Sequence, residues 1–409
     1  MSDTVVIGGG AAGIAAARTL HDAGRDVLLV EAAPRLGGRA HTVPLHFAGR
    51  TYPVDFGCSW LHSATRNSWV DIGERGGFTI DRSDPGWDVQ WRDLGFPPED
   101  QYAFGDARQA WTAAAHAALG GADRPLGDFV AADDRWRPML DAISGFANGA
   151  PLDRVSLHDW AAYEDAAGDE NWSVREGYGA LIVGHAAGVP VSLSTPVTRI
   201  DHRGQRLHLD TPAGTLEAAQ VIVAVPPTVL GAIRFDPPLA VKQDAAAALP
   251  LGLADKVFLG VDDVPWPAQA HLIGDPHDAC TGSYRLSPFG WPIIEGFFGG
   301  TGAERLEVAA DAYAAAIDEL VALLGSDWRG RLHPLAATRW RHEPHIGGSY
   351  SHARVGHAGA RAVLAEAVDD RLFFAGEACS RHDFSTAHGA RQTGVDAATA
   401  VLAKRLPVS

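Results

Sequence analysis

The run Gly8-Gly-Gly10-Ala-Ala-Gly13 constrains this 409-residue chain more than any other feature. It follows a short apolar stretch, Thr4 to Ile7, that reads as a strand, and it precedes an alanine-rich segment over about 11–23 that reads as a helix. A second strand, Val27 to Val30, ends in Glu31. The spacing fits a βαβ unit opening on GxGxxG. Gly8 permits the tight turn, Gly10 lets a pyrophosphate approach the backbone, and Gly13 lets the helix pack on the strand. The first helical turn, which contains Ala12, offers free amides and a partial positive charge to phosphate groups. Glu31 stands 18 residues beyond Gly13, where a carboxylate can accept ribose hydroxyls. A dinucleotide is the ligand this arrangement predicts.

Composition narrows the partners. The 34 Lys and Arg against 50 Asp and Glu give a net charge of -16, which argues against general affinity for nucleic acid or anionic lipid. An apolar fraction of 46% is that of an ordinary globular protein, long enough for two domains. The three cysteines, Cys58, Cys280 and Cys379, are far apart, so neither a disulfide framework nor a structural zinc site is expected. The apolar stretch Val5 to Ala17 lacks a basic leader and is interrupted by glycines, and no run of about 18 apolar residues occurs. A soluble, cytoplasmic monomer or homodimer with no membrane contact is expected.

The pattern changes along the chain. Trp87, Trp91, Trp111, Trp136, Trp160 and Trp172, half of the 12 tryptophans, fall between 76 and 176 among alanine-rich helical stretches. Alternating apolar residues from Val191 to Val225 around Pro212-Ala-Gly214 read as an antiparallel ribbon returning to a buried strand. One amphipathic helix is expected near 303–324, a last strand at Leu372 to Ala375, and a closing helix over about 389–404. These features predict an α/β (mixed α+β) architecture. A discontinuous Rossmann-like nucleotide domain of residues 1–75, 177–233 and 333–409 would carry an inserted substrate domain of mixed sheet and helices, residues 76–176 and 234–332.

The block Glu31-Ala32-Ala-Pro-Arg35-Leu-Gly37-Gly38-Arg39 resembles the second fingerprint of the flavin-dependent amine oxidase superfamily. Further segments are similar to the same family: Val197-Thr-Arg-Ile-Asp201, the strand Val221 to Val225, and Leu372-Phe-Phe-Ala-Gly376-Glu377 followed by Thr386-Ala387-His388-Gly389. The resemblance implies FAD. It places Gly38 and Arg39 at the phosphates, the Val197 backbone at the adenine, and Gly376 and Glu377 at the ribityl and phosphate groups. Thr386 and Ala387 would open the helix that points at the flavin ring.

It also implies roles in chemistry. Lys256, within Gly252-Leu-Ala-Asp-Lys256-Val-Phe258, would hold a water against the flavin's reactive nitrogen. A lysine beside an apolar strand is costly to bury without a purpose. Trp340 and Tyr350 would build an aromatic wall at the flavin face, with Tyr350 flanking the amine. Ser349 stands where the outer-membrane monoamine oxidases carry a flavin-bonded cysteine, so FAD should be non-covalent, and Thr386 stands where they have a second aromatic. Cys58-Ser-Trp60-Leu-His62 resembles the tunnel of polyamine oxidases, with Trp60 beside the cofactor and His62, near its ordinary pKa of about 6.5, a possible proton relay. His342, His345, His352 and His357 lie in a glycine- and proline-broken segment that does not suit metal ligation.

The resemblance is closest to polyamine oxidases: hydride transfer from a small cationic amine, imine hydrolysis to an aldehyde and an amine, and release of hydrogen peroxide from oxygen. Rival readings on the same fold are a monoamine, cyclic amine or L-amino-acid oxidase, the last needing an arginine that the sequence does not assign. A non-catalytic or electron-transfer flavoprotein is the rival of another class. Residues 76–179 hold 19 Asp and Glu against 8 Lys and Arg, so an acidic, tryptophan-rich entrance that concentrates cationic amines is a further expectation.

Overall fold

The computed structural model describes residues 2–404. Strand Ser2–Ile7 lies inside the first of two large sheets, parallel to Val27–Val30 on one side and to Gly214–Val223 on the other. Val5 and Val6 are almost wholly buried, as a strand covered on both faces requires. The ten-residue strand Gly214–Val223 serves two partners along its other edge. Its first half pairs antiparallel with Leu207–Thr211, and its last three residues pair parallel with Leu372–Phe374. Distant parts of the chain thus meet on one strand.

Helices Ala11–Asp22 and Ala387–Ala403 pack together beside this sheet. Their closest approach is at Gly394, where an added Cβ would lie 2.1 Å from the carbonyl oxygen of Ala12.

The second sheet is antiparallel, in the order Ala270–Ile273, Ser283–Leu286, Ile293–Gly299, Ala254–Val261, Leu332–Ala337. Alternation sorts its two faces. Val257, Leu259, Leu272, Tyr284, Ile294 and Phe298 join the core built with helix Ala312–Leu324. The opposite face carries Phe258 and Ile293 against the hairpin of Thr42–Phe47 and Arg50–Asp55, together with the buried polar residues Lys256, His271, Arg285 and Glu295.

Three details differ from the sequence reading. Strand Arg234–Asp236 adds to the edge of the first sheet beside Arg199–Asp201, although residue 234 was expected to open the inserted segment. Strand Leu332–Ala337 belongs to the second sheet, which extends that segment past 332. The helix expected near 303–324 is two, Thr301–Val308 and Ala312–Leu324. The Asp311 carboxylate accepts the Tyr313 amide and caps the second, which restarts the helix where one continuous turn was expected.

A buried ion pair joins the helical layer of Arg137–Asn148 and Leu157–Glu164 to the C-terminal segment. Arg361 meets Asp159 through two parallel bonds of 2.6 and 2.8 Å, with side-chain exposures of 1% and 2%, and its guanidinium lies 3.6 Å over the Phe384 ring. Arg361→Met leaves the Asp159 carboxylate buried without its cation, and should cost about 3–5 kcal/mol in urea unfolding. The double variant Asp159→Asn/Arg361→Met should regain part of that loss, since no unpaired charge remains.

Candidate active site

The glycine turn separates what the protein needs from what a ligand needs. Gly8 has φ +102°, and a Cβ on Gly13 would lie 1.8 Å from the Gly8 carbonyl oxygen, so both are demanded by the turn and its helix. Gly10 has ordinary extended backbone, and a Cβ there would find nothing closer than 3.9 Å. Its missing side chain leaves open space that the fold does not use. Ile14 is the first residue to donate within the helix, to Gly10 at 2.9 Å, so the amides of residues 11–13 have no intrahelical partner.

Glu31 is buried beside this turn, accepting the Gly9 amide at 2.5 Å and the Ala33 amide at 2.7 Å, with Ala32 between. The Gly37 amide donates to Gly9, which sets the Gly37-Gly38 turn alongside the first. Val197 is buried, and among the described residues neither its amide nor its carbonyl has a hydrogen-bond partner, an arrangement that asks for a ligand or water.

The far side of the cradle centres on Glu377. Its buried carboxylate accepts from Arg39 at 2.9 Å, from the Ser351 hydroxyl at 2.6 Å and amide at 3.2 Å, and from the Ser385 amide at 3.0 Å. Burial opposes its charge, but Arg39 and then Arg361 hold the carboxyl below its usual range. Arg39 also donates to the Ser349 carbonyl, so its cation is already engaged within the protein. Gly376, at φ +137°, has open space where a Cβ would be. Thr386 caps helix Ala387–Ala403: its hydroxyl accepts the Gly389 amide and donates to the Asp383 carbonyl. The Thr386 side chain is therefore a helix cap, and the amides of 387 and 388 remain at the helix end.

Lys256 and Trp340 grip the same loop. Lys256 is buried; its ammonium donates to the Asp55 carbonyl and the Ser59 hydroxyl, each at 2.9 Å, and lies 2.6 Å from Glu295. The indole of Trp340 donates to the Phe56 carbonyl at 3.3 Å and packs over Gly57. The Cys58 amide donates to the Arg39 carbonyl, which ties this loop to the Glu377 cluster. Tyr350 donates its phenol proton to the Phe146 carbonyl, and burial raises its pKa. Ser349 is fully engaged with the Ala254 backbone, accepting its amide and donating to its carbonyl.

Trp60 and His62 pack beside Trp87. The Trp60 ring lies 4.4 Å from the Arg285 guanidinium and 5.1 Å, edge on, from Trp87. His62 pairs with Asn171 at 2.7 Å. Burial pushes the His62 imidazole down to about 4, with Asn171 opposing and His388 adding to the fall. The imidazole is therefore neutral across the neutral range, which corrects the expectation of a relay that changes charge near pH 6.5.

Residues 11–165 and 123–402 match the family described as flavin containing amine oxidoreductase. The chain belongs to this family. Polyamine oxidase 4 of Oryza sativa subsp. japonica is 29% identical over 96% of this chain and 87% of its own length. Polyamine oxidase 2 of Arabidopsis thaliana is 30% identical over 96% and 86%. A lysine-specific histone demethylase 1 homolog 2 of Oryza sativa subsp. japonica is 28% identical over 98% of this chain and 57% of its own. Among solved structures, cyclohexylamine oxidase from Brevibacterium oxydans IH-35A superposes with a TM-score of 0.77 at 23% identity, covering 98% of both chains.

The cofactor of this flavin amine oxidase is FAD. The cradle suits it: open space over Gly10 and Gly376, unpartnered amides at two helix ends, and the unpartnered backbone of Val197 lie along the faces where a dinucleotide would be held. Among the described residues, no three His, Cys, Asp or Glu side chains form a metal-binding group, and no helix is long and apolar enough to cross a membrane.

Sequence reasoning missed Asp255, Arg285, Glu295 and Ser351. Glu295 carried a usable signal, a carboxylate inside the apolar run Ile293-Ile-Glu295-Gly-Phe-Phe, the same anomaly that drew attention to Lys256. Arg285 is an arginine of the kind an amino-acid substrate would need, but Trp60 and Phe289 lie against its guanidinium, and it donates to Gln269 and Ser173.

Asp255 accepts the Thr338 hydroxyl at 2.7 Å and the Trp340 amide at 3.1 Å; burial raises its carboxyl to about 6, with neighbouring Glu307 contributing. A carboxyl whose pKa is raised by folding stabilises the fold while protonated, and loses that contribution as pH rises from about 4 through 6. Asp255→Asn keeps both accepted bonds and removes the charge. Its stability relative to the native protein should therefore grow by about 2 kcal/mol across that window, read from urea midpoints at pH 4, 5, 6 and 7.

Proposed function

We propose that this protein is an FAD-dependent oxidase of amines with polyamines as its substrate class. The observation that carries the reading is the convergence of buried Lys256 and Trp340 on the 55–59 loop, which Arg39 and Glu377 tie to the dinucleotide cradle. The first sheet and its connecting segments hold the cofactor, and the second sheet with the helices of 76–176 covers the substrate. Bound there, FAD would supply the acceptor for a hydride from the carbon beside the amine nitrogen and would return the electrons to oxygen as hydrogen peroxide, and the imine left would be hydrolysed to an aldehyde and an amine.

The residues of this chain orient and desolvate. Tyr350, its hydroxyl tethered to Phe146, presents a fixed aromatic face beside which a neutral amine sits. Neutral His62 can accept a hydrogen bond from the amine without adding a competing positive charge. Ser349, bonded on both sides to Ala254, leaves FAD without a covalent tether. The unpaired cysteines fit a reducing, cytoplasmic setting.

The polyamine class is supported by the two polyamine oxidases named above and by the outer end of the Trp60 block. There Trp87 is 40% exposed and packs on Trp60 and His62, with the exposed carboxylates of Asp84 and Asp88 beside it in the chain. An aromatic and acidic surface attracts extended cations. The likeness to cyclohexylamine oxidase motivates a cyclic amine as the second reading.

Anaerobic mixing of the yellow holoprotein with spermidine, spermine, N-acetylated polyamines, putrescine, tyramine, cyclohexylamine and amino acids tests this by flavin bleaching. The polyamines should bleach fastest. Bleaching by cyclohexylamine or tyramine alone would select the second reading, and bleaching by none would remove amine oxidation. For the polyamine that reacts, kcat/KM should fall several-fold between about 20 and 200 mM salt, as screening weakens the acidic entrance; a flat profile would remove the entrance from the account.

A further inference from the structure

The second sheet carries a row of polar side chains on its otherwise apolar hairpin-facing side. His271 stands opposite Arg285, and Arg285 opposite Glu295, in successive strands; Glu295 then reaches Lys256 on the next. Glu295 is the carboxylate of this row. One oxygen is 2.6 Å from the Lys256 ammonium and 3.5 Å from the Ser59 hydroxyl, and the other is 4.0 Å from Arg285. Lys256, Arg285 and Glu295 all have side-chain exposures of 10% or less. A small cavity lined by Asp55, Ser59, Ser173, Arg285, Phe289 and Glu295 adjoins them.

We propose that Glu295 is a positioning residue that keeps the Lys256 ammonium charged and fixed against the 55–59 loop. The inference rests on the reading of Lys256 as the lysine that faces FAD. The argument is electrostatic. Two buried cations share Glu295 as their common ion-pair partner, with Asp81 and Asp55 acting on Arg285 from farther off, and Arg285 cannot give up its proton in the accessible range. Without Glu295 the remaining pair would be like-charged in a poorly solvated site, and Lys256 is the member able to relieve this by losing a proton.

Among the described residues no other carboxylate forms an ion pair with Lys256; Asp55 and Asp81 act on the cluster from beyond ion-pair distance. Asp55 presents its carbonyl to Lys256, while its carboxyl accepts from Thr42, Tyr178 and Gly179, and burial raises its pKa. Burial likewise keeps Cys58 as a thiol and His271 as a neutral ring, and Asp81 is engaged with Gln269 and Ser83. Burying Lys256 also withdraws it from solvent cations and anions alike, so its charge state follows its neighbours.

The test is the midpoint potential of bound FAD and the rate of flavin reoxidation by oxygen, each followed from pH 6 to 10 in holoprotein of confirmed FAD content. Each variant is read against the native profile for a step that the native protein lacks. Glu295→Gln should introduce one, with reoxidation falling about tenfold per pH unit above its midpoint toward the Lys256→Met rate. Lys256→Met/Glu295→Gln should lack the step, which assigns it to the lysine. Glu295→Asp, which keeps the charge but leaves a void, should restore the native profile; a merely structural Glu295 would leave Asp as impaired as Gln.

Two results overturn the proposal and can be told apart. If Lys256→Met matches the native protein in both measurements, the reading of Lys256 fails and Glu295 falls with it. If Lys256→Met differs while Glu295→Gln follows the native profile, only the role of Glu295 fails. Should Glu295→Gln not retain FAD, Glu295→Asp still decides: a profile that departs from the native one although the charge is kept would show that Glu295 does not act by holding the charge.

Discussion

A single buried carboxylate, that of Glu377, is the point on which the site depends. It accepts bonds from Arg39 of the N-terminal segment, Ser351 of the aromatic-wall segment, and Ser385 just before the closing helix. A charge in this position would be costly alone. Arg39 and Arg361 supply the compensating cations, and Arg361 is in turn held by Asp159 from the helical layer. Four distant stretches of chain are therefore fixed relative to one another by hydrogen bonds with defined directions, which apolar packing alone does not provide. The Gly10 turn, the segment that carries Trp340 and Tyr350, and the helix end at Thr386 are linked through this cluster.

The second sheet solves a different problem. One face is a conventional core of Val257, Leu259, Ile294 and Phe298, and this allows the other face to carry Lys256, Arg285 and Glu295 without losing the fold. Cross-strand register brings opposite charges together as the sheet forms. The arrangement delivers an ammonium to the back of the 55–59 loop while Trp340 reaches that loop from another segment. If the proposed function holds, an amine approaching FAD would meet residues positioned by a sheet rather than by flexible loops, which favours precise orientation.

Much of this was legible along the chain, but unevenly. The βαβ opening was readable because its signal is local: strand, glycine turn, helix and Glu31 lie within 31 residues. The ribbon of Leu207–Thr211 and Gly214–Val223 was equally local, joined by a two-residue turn. Domain edges were less so. Arg234–Asp236 is a three-residue strand whose one sheet partner among the described residues, Arg199–Asp201, lies more than thirty residues away, and nothing in its own sequence says which sheet it joins. The break between Val308 and Ala312 escaped notice because the run is alanine-rich on both sides, and the Asp311 cap outweighs propensity there.

The sequence by itself determined the nucleotide cradle, the family resemblance and hence FAD, and the anomaly of a lysine in an apolar strand, because each rests on residues close together in the chain. Only the tertiary structure decided what those residues are bonded to. It gave Lys256 its partner Glu295, turned Arg39 and Glu377 toward each other, spent the Thr386 hydroxyl on a helix cap, and enclosed His62 enough to lower its pKa. The physical reason is common to all four. Charge state and hydrogen-bond partner depend on burial and on neighbours from distant segments, and neither is defined until the sheets and helices have packed.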